Sequence, residues 1–279
     1  MPATYAHYQF GRECLELLPS NLQKIVHEHR DIYNFAVQGP DILFYDLLHT
    51  NITSYGFNMH KYPAREFFER IKPLYLRYKE KDEMLTYMLG FLSHFALDST
   101  CHGYVEKKVI VDNVTHNKIE TCWDKHCIEK DKRVFYLVDR AESLKPTEEN
   151  TKIISYFYTF SPDKIYRACR WQKRIVTLMN CINTKKYNFL TKLLIKLKQN
   201  KYADLLLPFD EFEPCKDSNL RLDKLKVKAL NIYPKLVNSL LDFLKGKKEL
   251  SKYFDNDFAG NQEGVEILPY KKELKYQVK

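Results

Sequence analysis

The row His94, Asp98, His102 constrains this chain more than any other feature of it. Its members stand at steps of four within Gly90-Phe-Leu-Ser-His-Phe-Ala-Leu-Asp-Ser-Thr-Cys-His-Gly-Tyr104. On an α-helix a step of four overshoots one turn by only about 40°, so the three side chains line one stripe. Phe91, Leu92, Phe95, Ala96 and Leu97 surround them, and a helix that is apolar on most sides is a buried one. Two imidazoles and a carboxylate buried in a row are costly unless something binds them. A divalent metal ion is the simplest partner. A second pair at the same spacing, His116 and Glu120, follows soon after.

The histidines sharpen this. All nine lie within the first 126 residues of the 279. Neutral imidazole is the commonest nitrogen ligand of metals, and zinc takes imidazole and carboxylate together. The same half supplies His7, Asp41 and His60. Asp41 follows Gly39-Pro40, where the proline disfavours helical geometry in the residue before it and forces a turn. A carboxylate there could also cap a helix. A single His-x-x-x-acid pair is most often a surface pair or a hydrogen-bonded core pair. Two such pairs, the first in an apolar helix, are harder to explain without metal. The eight residues His7, Asp41, His60, His94, Asp98, His102, His116 and Glu120 suffice for two zinc ions, with a third as an extension. Asp98, between two histidines, is placed to bridge two of them. His27, His29, His49 and His126 are left as solvated or supporting residues.

The fold class is all-α. Apolar residues recur mostly at spacings of three and four, and only eight glycines occur, without the regular turn signals of a sandwich or barrel. The patterns predict helices over about 5–18, 21–37, 63–79, 82–104, 115–130, 162–181, 186–199 and 220–245. Residues 49–60 and the acidic stretch 203–218 read as loops, and Gly103 reads as the end of its helix. In the helix over 186–199, Leu190, Leu193, Leu194 and Leu197 are expected inside. The polar stretch 140–150 with Pro146 is the best seam. It divides a core at 1–139 from a basic helical region at 140–259, packed on that core, and a loosely held polar tail at 260–279.

The net charge of +9 is uneven: residues 1–130 carry −2 and residues 131–279 carry +11. That asymmetry suits an anionic partner, such as a membrane surface, a phosphorylated substrate or nucleic acid. A solvated lysine-rich face is the plain alternative. No apolar run is long enough to span a membrane, and no basic segment followed by an apolar core opens the chain, so a cytoplasmic protein is expected. Seven cysteines, odd in number and not closely paired, fit reduced thiols.

Taken together, Tyr5-Ala-His-Tyr-Gln-Phe-Gly11, Gly39-Pro-Asp-Ile-Leu-Phe-Tyr45, Met59-His60, His94-Phe-Ala-Leu-Asp-Ser-Thr-Cys-His102 and His116-Asn-Lys-Ile-Glu120 resemble the zinc-dependent phospholipase C family. That family has an all-α bundle fold and is distantly related to the S1/P1 nucleases. The resemblance covers roughly residues 1–130, with the motifs in the family's order. It implies one zinc held by Asp41, His60, His94 and Asp98, and a second by His102, His116 and Glu120. It implies a third at His7 and the other oxygen of Asp98. In the family the amino-terminal tryptophan of a signal-cleaved enzyme completes that third site, whereas this chain begins Met1-Pro2. The spacing from Asp98 to His102 is shorter than in secreted members and is similar to the bacterial intracellular branch. The β-sandwich that some secreted toxins append has no counterpart in residues 131–279.

The chemistry implied is phosphodiester hydrolysis, with phospholipid as the foremost substrate and peripheral contact with an anionic membrane. Asp41 is the candidate base. Two other classes remain open. One is a single-strand nuclease of the S1/P1 kind, which would want exposed aromatic side chains such as Tyr45, Tyr55 or Trp123 for base stacking. The other is a helical protein that zinc only stabilises, in which case coordination would be closed.

Overall fold

One helix runs through the middle of the molecule, and the rest is arranged around it. The computed structural model describes residues 3–46 and 48–276, of which none forms a strand, and is 71% helical. The helices are α1 (Thr4–Glu16), α2 (Ser20–Glu28), α3 (Arg30–Ala36), α4 (Thr50–Met59), α5 (Ala64–Arg77), α6 (Lys81–Asp112) and α7 (His116–Lys130). There follow α8 (Glu148–Ser155), α9 (Pro162–Met179), α10 (Thr184–Lys196), α11 (Asn200–Ala203), α12 (Lys216–Leu244) and α13 (Tyr270–Glu273). A tight 3₁₀ turn, Gly39–Tyr45, lies between α3 and α4.

The central helix is α6. Every residue from Met84 to Asp98 is buried, because apolar side chains occupy all sides of that stretch rather than one stripe. The helices α1, α2, α3, α5, α7 and α12 pack around it. It ends at Asn113 in the left-handed conformation, φ 52°, which asparagine tolerates better than most residues. Tyr233 of α12 donates its hydroxyl to the Leu89 carbonyl of α6 at 3.1 Å. The two long helices thus belong to one hydrophobic core, which runs from Ala3 to Phe258 and includes Ile154, Cys169 and Leu240.

The structure departs from the sequence reading in five places. The stretch 21–37 is two helices, broken at His29, where φ −116° and ψ 36° leave the helical region. Residues 49–60 are not a loop, since Thr50–Met59 is helical. Asn, Thr, Ser and Gly make that segment a weak helix former. Tertiary packing overrides propensity, for Gly56 sets the helix against the 3₁₀ turn, where a Cβ would stand 3.0 Å from Leu43 and 3.2 Å from the Pro40 carbonyl. Gly103 does not end its helix, which continues to Asp112. The helix α10 buries no side chain, and Leu193 and Leu197, expected inside, are 39% and 58% exposed. The tail, expected to be loosely held, includes Glu273, fully buried in an ion pair with Arg221 at 2.5 Å.

Candidate metal centre

The eight candidate residues arrive on five elements. His7 comes from the first turn of α1, Asp41 from the 3₁₀ turn and His60 from the C-terminus of α4. His94, Asp98 and His102 come from α6, and His116 and Glu120 from α7. They converge on the buried stripe of α6. Potential ligand atoms gather in three groups, each within 4.8 Å: His60, His94 and Asp98; His7, Asp41 and His94; and His102, His116 and Glu120. The last group is the one the resemblance implied. In the others His7 falls with Asp41 and His94 as well as with Asp98, and the amino-terminal residues Met1 and Pro2 lie outside the described residues.

Asp98 is the hub. Its Oδ1 stands 3.3 Å from His7 Nε2, and its Oδ2 stands 3.0 Å from His94 Nε2 and 3.8 Å from both His60 Nε2 and His102 Nδ1. Asp41 Oδ1 lies 3.1 Å from His60 Nε2. Glu120 Oε1 lies 3.1 Å from His102 Nε2 and 3.0 Å from His116 Nε2.

The other ring nitrogens decide what these contacts mean. His60 Nδ1 donates to the Gly56 carbonyl at 2.8 Å, and His102 Nδ1 to the Phe258 carbonyl at 2.9 Å. His116 Nδ1 donates to the Glu106 carboxylate at 2.7 Å. In a neutral imidazole one nitrogen donates and the other offers a lone pair. With Nδ1 donating, each Nε2 points a lone pair at a carboxylate, and two acceptors at about 3 Å repel unless a proton or a cation lies between them. Nε2 of His60, His94 and His116 and Oδ2 of Asp98 are buried without a hydrogen bond among the described residues. Orphaned buried polar atoms of this kind call for a ligand. Histidines fixed through Nδ1 by a carbonyl or carboxylate are the supporting arrangement that metal sites use. The residues therefore fit divalent zinc.

Without metal the cluster is a set of strained charges. Burial pushes the Asp98 carboxyl up, but His102, His94 and His7 outweigh it and hold it well below the usual carboxylate range. Burial, aided by His7, pushes His94 down against the pull of Asp98. The His7 and His94 rings stack at 4.3 Å, a contact that suits two neutral imidazoles and not two imidazolium ions. His116 moves the other way: burial lowers it, yet Glu120 and Glu106 carry it up to about 10. Zinc binding has to displace that proton, so it becomes easier as pH rises.

Several supporting residues escaped the sequence reading. Glu106 continues the α6 row by one more step of four, so the signal was present. Asp124 of α7 accepts the Ala6 N–H at 2.8 Å and thereby pins the first turn of α1, which carries His7. Its carboxyl is buried with Arg140 and pushed by burial up to about 6. Phe258 gave no signal at all. Its N–H donates to the His60 carbonyl at 3.1 Å, its carbonyl accepts from His102, and its ring lies 5.6 Å from that of His60 and 5.9 Å from that of His94.

The segment after Phe258 explains Gly103. A Cβ on Gly103 would stand under 3.0 Å from the Asn261 carbonyl oxygen and carbon, so only glycine lets that strand of chain cross α6. Gly103→Ala raises helix propensity by about 1 kcal/mol. It is nonetheless expected to lower the melting temperature and to weaken zinc binding by His102, His116 and Glu120 about tenfold, because the His102 acceptor moves. Thermal unfolding and metal titration check this, and a variant with raised stability and full zinc content would refute it.

Of the aromatic residues considered for base stacking, Trp123 is buried, with its indole N–H 3.4 Å from Asp223. His126 also bonds Asp223, at 2.8 Å, and His49 bonds Asp46 at 3.1 Å, both away from the metal cluster. All seven cysteines are buried free thiols. No helix among the described residues is long and apolar enough to cross a membrane.

Among curated proteins and solved structures, none matches the chain. The family model described as zinc dependent phospholipase C matches residues 6–203, a span well over half of the chain that takes in all eight candidate ligands. The chain belongs to the zinc-dependent phospholipase C family.

Proposed function

We propose that this protein hydrolyses phosphodiesters, with phospholipid as the substrate class and zinc as the cofactor. The observation that carries the reading is the set of imidazole Nε2 lone pairs facing carboxylates across a buried cluster. Asp41, His60, His94 and Asp98 would hold one ion, and His102, His116 and Glu120 a second. His7, with Asp98 and Asp41, supplies donors for a third. Zinc lowers the pKa of a coordinated water towards neutrality and offsets charge on a phosphoryl group.

The chain's own residues supply the rest. Gly56, Phe258 and Glu106 accept from Nδ1 of His60, His102 and His116 and so turn each Nε2 towards the cluster, while His116 still has to give up its proton before a ligand binds there. Asp41, one of whose oxygens faces His60, would take a proton from an attacking water where its other oxygen is not committed to an ion. A cavity of about 380 Å³, lined by Tyr55, Met59, Tyr62, Glu66, Phe67 and Phe258 among others, adjoins His60 through Met59 and Phe258. Its wall combines the rings of Tyr55, Tyr62, Phe67 and Phe258 with the polar Asn58, Glu66 and Arg70, which suits an organic substituent of the phosphodiester.

The test is metal analysis of the purified protein with hydrolysis of a nitrophenyl phosphodiester and of phospholipid in mixed micelles. At least two zinc ions per chain are expected, with activity lost on chelation and restored by zinc. Full zinc content with no cleavage of either substrate would leave a protein that zinc only stabilises. Cleavage of single-stranded DNA in preference to both would make it a nuclease.

A further inference from the structure

A second surface lies outside the metal centre. Residues 164–203 contain eleven Lys and Arg and no Asp or Glu, in a chain that is otherwise rich in acids. The helix α10 lies in this stretch. Among the described α-helices of eight residues or more, it is the one in which no residue is buried.

Its pattern is amphipathic, but only Tyr187, Leu190 and Leu194 of its apolar side are half-buried, and the adjoining apolar stripe faces outward. Phe189, Leu193 and Leu197 follow at steps of four and are 65%, 39% and 58% exposed. Lys185, Lys192 and Lys196, all exposed, line the adjoining stripe. Leu178 and Ile182, just before the helix, are also exposed. Two contacts tie α10 to the protein: the Tyr187 ring meets Phe209 at 5.7 Å, and Lys186 donates to the Asn180 carbonyl at 2.7 Å.

An apolar stripe bordered by lysines, in a stretch of chain without acids, fits one occupant best. In an anionic bilayer, Phe and Leu side chains enter the acyl boundary while lysines reach the phosphate level. A nucleic acid would use the lysines but leave Leu193, Leu197 and Ile182 in water. A second copy of the chain would set lysine against lysine. We propose that α10, with Leu178 and Ile182, docks this protein on the surface of an anionic lipid bilayer. The docking is independent of the metal centre and needs no zinc.

The test is sedimentation of the full-length protein with vesicles of phosphatidylcholine alone and of phosphatidylcholine containing phosphatidylserine, with and without chelator. Binding to the anionic vesicles is expected to exceed binding to neutral ones at least tenfold, to be the same with chelator, and to weaken with salt. Two double variants, Phe189→Ser with Leu193→Ser and Lys192→Glu with Lys196→Glu, should each bind at least about tenfold more weakly. Both alter exposed side chains, so circular dichroism and zinc content should match the parent. Equal binding to neutral and anionic vesicles, or none, would overturn the proposal. So would an apolar variant that binds as the parent does while the lysine variant fails, since that is plain polyanion adsorption. Retention on single-stranded DNA tighter than on the anionic vesicles would assign the surface to nucleic acid instead.

Discussion

Replacing Asp98 by asparagine is expected to remove metal from one part of the cluster and leave it in another. The substitution keeps the volume but exchanges a carboxylate, shared by His7, His60 and His94, for an amide. The amide NH₂ would donate to an imidazole Nε2 and occupy the lone pair a metal ion needs. The group His102, His116 and Glu120 keeps its own carboxylate, so zinc per chain should fall without reaching zero. Loss of a supporting partner in a metal site typically costs about 10–100-fold, and loss of a ligand costs at least as much. A fall of at least about a hundredfold in kcat/KM is therefore expected. Metal content and hydrolysis measured on the same preparation check it, and an Asn variant with full zinc and activity would remove Asp98 from the site.

The same substitution has a pH signature in the metal-free protein. The Asp98 carboxyl is held below its ordinary range in the folded state, so its contribution to stability is present above that range and fades as pH falls. The melting temperatures of parent and Asn variant should differ at neutral pH. They should begin to converge below about pH 4, where an unfolded-state carboxylate takes up its proton.

Gly39→Ala is the second large effect. Gly39 sits at φ 53°, and a Cβ there would stand under 3.0 Å from three atoms of the His94 ring. Two costs add: about 1–2 kcal/mol for a side chain in the left-handed region, and about 1–3 kcal/mol for overpacking against a ring that has no room to retreat. Displacing His94 by even an ångström should lower kcat about a hundredfold. Gly246 provides the control, with φ 68° and nothing within 4 Å of a Cβ. Gly246→Ala should show the backbone cost alone, with zinc and activity intact. If the two variants behave alike, His94 does not depend on Gly39.

How much of this was legible in the sequence follows from the range of the interactions. The row His94, Asp98, His102 and the pair His116, Glu120 are local, since helix geometry alone puts residues four apart on one face. For that reason the buried row of α6 and the pair His116, Glu120 could be read directly, and Glu106 could have been, by one more step; the grouping of His102 with that pair came from the resemblance. The family followed from the order of the motifs. Glycine, asparagine and serine content misled at 49–60, because helix α4 exists through the close approach of Gly56 to the turn that carries Asp41. That contact sets His60 opposite Asp41, and no local pattern encodes it.

Tertiary structure alone decided the rest. It stacked His7 on His94 and made Asp98 the hub of four imidazoles. It also brought Phe258, beyond the family match at 6–203, back across Gly103 to fix His102. An amphipathic helix looks the same in sequence whether its apolar stripe meets a core or the solvent. The leucines of α10 therefore read as interior, and only the packing of the other helices shows that Leu193 and Leu197 are left facing out while Leu190 and Leu194 are half-buried. The sequence by itself determined a helical chain with a metal-binding row; the fold decided how the row is completed and which surface remains open.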